Sequence, residues 1–279
     1  MKKGNWIIAL TLAAALSLAG CGAAPEEPAA TATPEPTVTA VPTAEPTSEP
    51  TEEPTAEPTS EPTEEPTAEP AAAPDTAADL AEKGRTLYAA QLNRYAAALS
   101  EQWTEGRYFE NGMSELATYY YEGDACANAG IAFPDLDGDG SPELVIGAIS
   151  GADTDPAVFE IWTVADGAPV MVAQSHARSR YYVEYAEEEN LWYIANEGSN
   201  GAANSAWFYY TLQNGKLVLQ QGVTYDAAAN ESAPWYMTYD EDWDVTNDTP
   251  SDEVTCRGVI DSNTSRYMAL DYTPYTAIR

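Results

Sequence analysis

A proline stands at every fourth position from Pro46 to Pro70, in the run TAEPTSEPTEEPTAEPTSEPTEEPTAEP that begins at Thr43. Neither a helix nor a sheet tolerates that spacing, because each proline lacks the N–H that a helical turn or a ladder needs. The glutamates between the prolines repel one another, and no Lys or Arg occurs between Gly22 and Pro74 to offset them. An extended, partly polyproline II spacer is expected, reaching on the order of 150 Å at about 3.1 Å per residue over some fifty residues. Folding is thereby confined to the chain from Thr76 onward. Roughly two hundred residues suffice for one sizeable core.

Ahead of the spacer, MKKGNWIIALTLAAALSLAGCG combines two lysines, an apolar run from Trp6 to Leu18, and small residues before Cys21. The run is too short to span a bilayer comfortably, so the stretch reads as an export leader. Leu18-Ala19-Gly20-Cys21 resembles the lipobox of bacterial lipoproteins. That resemblance implies a signal peptide over 1–20, removed before Cys21, and a diacylglyceryl group on the Cys21 sulfur. Two acyl chains hold a protein on a membrane where one would only hover. Three segments are expected: the leader over 1–20, the lipidated cysteine and linker over 21–75, and a single β-rich domain over 76–279. The implied location is outside the cytoplasm, lipid-anchored to a bacterial cell membrane of the Gram-positive kind.

Acidic residues outnumber basic ones 45 to 12, a formal charge of −33, and from Thr76 onward the balance is still −22. Such a chain repels nucleic acid and anionic membrane surfaces. Beyond Cys21 the chain has two cysteines, Cys126 and Cys256. Outside the cytosol they read either as a disulfide or as two buried thiols acting as small apolar groups. His176 is the sole histidine, which leaves a zinc site short of ligands.

Within the folding part, Tyr88, Leu92, Tyr95, Leu99 and Trp103 recur at helical spacing after Asp75, a candidate N-cap. A shorter helical piece is expected near Met113 to Tyr121. From Ala129 the period shortens, and runs such as AVFEIWTVADGAPVMVAQ and SAWFYYTLQNGKLVLQQGVTY read as successive hairpins. Asp166-Gly167 and Asn214-Gly215 supply their tight turns. The expected fold is α+β, mainly antiparallel β: an N-terminal helix on a meander of about seven to nine strands, with a partial β-propeller as the alternative. Ser251 to Asp261 is open between helix and strand.

One segment concentrates chemistry. In DLDGDGSPE, over 135–143, Asp135, Asp137 and Asp139 fall at positions one, three and five, Gly140 at six, Ser141 at seven and Glu143 at nine. Alternate residues of a tightly curled backbone converge on one point, and a set of hard oxygens there suits one Ca²⁺. An EF-hand would carry an acid at position twelve, where this chain has Ile146. The loop is more similar to the strand-flanked calcium loops of FG-GAP and integrin-type repeats. That resemblance implies Asp135, Asp137, Asp139, Ser141 and Glu143 as ligands, although those families repeat the motif and here the pattern DxDGDGxxE occurs once. The chain also resembles exported lipoproteins of undefined function in anaerobic Gram-positive bacteria that combine a helix, one DxDGDGxPEL loop and a β-meander.

Three functional classes remain. Trp192, Trp207, Tyr209 and Trp235 lie in strand-like runs and are candidates for stacking on sugar rings, although strand alternation turns only half of such aromatics outward. Asp240, Glu241, Asp242 and Asp244 offer carboxylates for a glycoside-type hydrolase, yet in so acidic a chain such clusters arise readily. The primary reading is an interaction or ligand-binding module at the cell surface, its partner a protein or a cell-wall or host glycan. Glycan binding and hydrolysis are the alternatives.

Overall fold

The computed structural model describes residues 75–149 and 155–278. The leader, Cys21 and the linker as far as Pro74 lie outside the described residues. Among the described residues no helix is long and apolar enough to cross a membrane.

The expected N-terminal helix is two, α1 (Ala77–Leu87) and α2 (Ala89–Ser100), separated at Tyr88 with φ −104° and ψ 21°. Its N-cap is Thr76, whose side chain and Asp79 form a capping box, rather than Asp75. The periodic stripe starts at that break and runs past the end of α2: Tyr88, Leu92, Tyr95, Leu99 and Trp103 are all buried. Each such side chain contributes about 1.5–3 kcal/mol on leaving water. After α3 (Glu105–Glu110), a 3-10 turn over Glu115–Tyr120 occupies the second expected helical stretch. Then α4 (Ala125–Asn128) leads into the sheet.

The strands are β1 (Ala129–Ala132), β2 (Leu144–Ala148), β3 (Val158–Ala165), β4 (Ala168–Gln174), β5 (Ser179–Ala186) and β6 (Leu191–Gly201). β7 (Asn204–Gln213), β8 (Lys216–Asp226), β9 (Trp235–Thr238), β10 (Thr249–Pro250) and β11 (Thr273–Pro274) complete them. All pairs are antiparallel, in the order β10-β9-β8-β7-β6-β5-β3-β2-β1-β11, with β4 branching from β3. The fold is therefore α+β and mainly antiparallel β, one open sheet instead of propeller blades. Its eleven strands exceed the expected nine by the two-residue pairings β10 and β11. Both of those outermost strands read Thr-Pro, and the proline denies an incoming strand a donor. At the β3–β4 and β7–β8 turns, Asp166-Gly167 and Asn214-Gly215 all have positive φ, as tight hairpins require.

Strand alternation divides the core. Ile131, Leu144, Ile146 and Phe159 face the N-terminal helices, whereas Val145, Ile161, Val183, Ile194, Phe208 and Tyr210 form a second cluster. Buried Glu160 ties the layers, accepting hydrogen bonds from the Ser114 N–H at 2.9 Å, the Tyr95 hydroxyl at 3.1 Å and the Trp162 indole at 2.8 Å. The segment left open at 251–261 is helical from Glu253, in α5 (Glu253–Thr264) with Asp252 as its N-cap, and packs Cys256 and Val259 on Val223, Trp235 and Trp207.

No disulfide joins Cys126 to Cys256, which corrects the first of the two cysteine readings. Cys126 is buried with the N-terminal helices beside β1, and Cys256 with α5 beside β9. Six strands separate β9 from β1, on the order of 30 Å across the sheet at about 4.8 Å per strand, whereas a disulfide needs Cα atoms within about 7 Å.

Candidate metal centre

The acidic loop joins β1 to β2. Gly138 and Gly140 take φ of +74° and +83°, a left-handed conformation that other residues adopt only with strain. The curl is held from within: the Asp139 N–H donates to Asp137 Oδ1 at 3.2 Å, Gly140 to Asp135 Oδ2 at 3.1 Å, and Ser141 to Asp139 Oδ1 at 2.6 Å. Glu143 closes it, accepting from the Leu136 N–H at 2.7 Å and from the Thr163 hydroxyl of β3 at 2.9 Å. From the helical side, the Tyr88 hydroxyl donates to the Pro142 carbonyl at 2.9 Å, and the rings of Tyr88 and Phe133 stack at 6.4 Å.

Of the five expected ligands, Asp135, Asp137 and Glu143 each bring a carboxylate oxygen within 4.8 Å of the others. Asp139 and Ser141 stand outside that trio, Asp139 exposed and Ser141 half-buried. Two features fit a cation there. Asp135 Oδ1 is buried and has no hydrogen-bond partner. Burial pushes the Glu143 carboxyl up to about 8, against the pull of its two hydrogen bonds and with a further push from Asp137 and Asp139. Burial, followed by Asp139, likewise raises Asp137. Carboxylate oxygens of this kind suit a hard divalent ion.

Residues 39–76 match the family model of the PT disordered repeat. No curated protein and no solved structure matches the chain. The matched stretch is the proline-rich spacer and ends where α1 is capped.

A second loop has the same alternate spacing, with Asp240, Asp242, Asp244, Thr246 and Asp248 at positions one, three, five, seven and nine. The Asp244 N–H donates to Asp242 Oδ1 at 2.8 Å and the Thr246 N–H to Asp244 Oδ1 at 3.0 Å, as at the corresponding positions of the first loop. Trp243, with φ 63°, stands where the first loop has Gly138. Val245 replaces Gly140, so the second left-handed step is missing, and Asp240, Glu241, Asp242 and Asp244 are exposed. Among the described residues only the trio in the first loop is gathered closely enough to share an ion.

The four stacking candidates separate by burial, not by alternation, since Trp207 and Tyr209 share one face of β7. Tyr209 and Trp235 are buried, at 2% and 7% exposure, which removes Tyr209 from any surface role. Trp192 packs against Tyr185 at 4.9 Å. Trp207 is half-buried and lies 6.2 Å from Trp235.

Sequence reasoning passed over the buried acids of the strands, Glu160 and Glu184. Their signal was a lone glutamate inside an apolar run, as in VFEIW and YYVEY. Glu184 pairs with Arg266 at 3.3 Å while its Oε1 is buried without a partner. Desolvation lifts its carboxyl to about 7.

Proposed function

We propose that this is an exported, lipid-anchored surface protein whose β-rich domain, stapled by one Ca²⁺, serves as a ligand-binding or interaction module. The lipobox-like Leu18-Ala19-Gly20-Cys21 supports the anchor, and the repeat ending at Pro70 supports a spacer that carries the domain away from the membrane. The observation that carries the calcium assignment is the convergence of Asp135, Asp137 and Glu143 around the orphaned Oδ1 of Asp135. Asp139 and the Ser141 carbonyl complete the ligand set by the loop's resemblance to strand-flanked calcium loops. The ion's part is structural: it neutralises a loop that ties β1, β2 and β3 to the helical layer through Thr163 and Tyr88.

Two measurements test the reading. Calorimetric titration of the chain with calcium should give a saturable heat that disappears in Asp137→Asn; an unchanged heat removes the calcium assignment. Cys21→Ala should abolish incorporation of labelled fatty acid and release the protein from the membrane fraction. Label retained by the variant removes the anchor.

A further inference from the structure

We propose that the paired clefts on either side of Trp207 bind a neutral saccharide of at least two pyranose units. The proposal names a ligand for the surface module above and rests on that reading, but it draws on residues remote from the acidic loop.

Strand register builds the site. Arg180 pairs with Glu197, Glu197 with Trp207, and Ser199 with Ser205, so β5, β6 and β7 present these side chains on one face. With Arg178 they enclose a cleft of about 350 Å³. Trp207 also lines a second cleft, of about 750 Å³, together with Tyr225, Trp235, Asp252 and Arg257. Both volumes fall in the range of small-molecule sites. Trp207 thus stands between two compartments that are each large enough for a sugar ring.

The chemistry fits a pyranose, which has an apolar C–H face and a rim of hydroxyls. Half-buried Trp207 offers an aromatic surface, backed by Trp235, over which the Arg257 guanidinium lies at 5.1 Å. The polar groups are held in place before any ligand arrives. Arg180 is paired with Asp155, Glu197 accepts the Tyr267 hydroxyl at 3.0 Å, and Tyr267 stacks on Tyr182 at 4.4 Å. Fixed donors and acceptors of this kind discriminate among hydroxyl arrangements at little ordering cost. Arg178, by contrast, makes no ion pair among the described residues. Charge narrows the ligand class. Across the two clefts Arg178, Arg180 and Arg257 balance Glu197, Asp252 and Glu253, leaving a locally neutral site on a domain of −22, whose field opposes polyanions but not uncharged saccharides.

The test uses the full chain with chitotetraose, cellotetraose, maltotetraose and mannotetraose, read by tryptophan fluorescence and saturation-transfer NMR. At least one should bind. Trp207→Ala should weaken that binding about tenfold, equivalent to 1.4 kcal/mol. Arg178→Ala, at an exposed position that leaves folding intact, should weaken it several-fold and decides the matter if Trp207→Ala does not fold. No binding by any of the four at millimolar concentration overturns the proposal, as does binding that Arg178→Ala and a folded Trp207→Ala leave unchanged. A calcium-dependent rise in melting temperature, recorded on the same samples, separates the two readings. If it persists without saccharide binding, only the cleft assignment falls; saccharide binding without it leaves the cleft and removes the staple.

Discussion

Replacing Asp137 by Asn separates charge from turn geometry, because the amide oxygen can still accept the Asp139 N–H that Asp137 Oδ1 accepts at 3.2 Å. The oxygens of Asp135, Asp137 and Glu143 lie within 4.8 Å of one another. At that separation each ionised pair repels by about 3.5 kcal/mol at an effective dielectric of 20, so a fully ionised trio stores on the order of 10 kcal/mol. That sum is comparable to the entire stability of an ordinary domain, so the metal-free loop must shed charge or open. A divalent cation removes the conflict. At free calcium a hundredfold above the dissociation constant, linkage adds about 2.7 kcal/mol, or roughly 5–10 °C in melting temperature for a domain of this size.

With Ile146 in place of an acid at position twelve, the expected dissociation constant is about 10⁻⁵ to 10⁻³ M, weaker than that of intracellular buffers. With Glu143 raised to about 8 and so protonated at neutral pH, the Asp135–Asp137 pair is the repulsion that remains, and Asp137→Asn removes it. The variant should therefore melt above the parent in EDTA and gain nothing from calcium. Scanning calorimetry of both proteins, with EDTA and with calcium, reads both effects. Equal calcium increments in parent and variant would refute the role of the trio, and a variant that melts below the parent in EDTA would refute the repulsion.

The number of ions is a separate expectation: titration should give one calcium per chain, since Val245 keeps the second loop from closing, and a stoichiometry of two would show that Asp240 to Asp248 also converge. Glu184 sets a pH dependence. Its folded carboxyl titrates at about 7 against an ordinary 4.5, so the folded state holds a proton that the unfolded state has lost between those values, and stability falls as pH rises through that window. Glu184→Gln should make the profile less steep, with Glu143 at about 8 contributing the rest in the same direction, and should be the more stable protein at pH 8, by up to about 3 kcal/mol in urea denaturation; an unchanged pH profile would show that Glu184 does not contribute. Gly84→Val would place a Cβ 2.2 Å from the Phe133 ring, costing about 1–3 kcal/mol in thermal denaturation and weakening calcium binding by displacing Phe133 from Tyr88. Full stability and calcium affinity in that variant would mean that α1 and the loop are uncoupled. Deleting 22–74 should leave the melting temperature nearly unchanged, and a large loss would show that the spacer packs on the domain.

What could be read from sequence was what depends on near neighbours. The stripe from Tyr88 to Leu99 needs only the helical period of α2, whereas Trp103 is buried beyond the end of that helix. The Asp-Gly and Asn-Gly turns need only two residues that tolerate positive φ. The curl of the acidic loop belongs to the same class, because its spacing and its two positive-φ glycines are set within nine residues. A cysteine pairing, by contrast, depends on how many strands intervene, and the sheet order places six between β9 and β1. Which tryptophan stays accessible depends on where α5 lies: it packs on both Trp235 and Trp207, burying the first and leaving the second half-buried.

The acid at position nine of the loop joins the two classes. Its place in the register is local, but its burial is not: Thr163 reaches it from β3, and Tyr88 closes over the adjacent Pro142 carbonyl from the helical layer. A surface turn with the same spacing would expose its carboxylates to water, where an ion gains little from them. Here a buried glutamate raised to about 8 lies within 4.8 Å of an aspartate whose Oδ1 is buried without a partner, so the fold itself disfavours the metal-free charge state. The exposed second loop, with the same spacing and similar internal hydrogen bonds, lacks that buried anchor. Spacing alone therefore does not distinguish the two loops; it is Thr163 of β3 on Glu143, and Tyr88 between α1 and α2 on the adjacent Pro142 carbonyl, that would give a cation something to relieve.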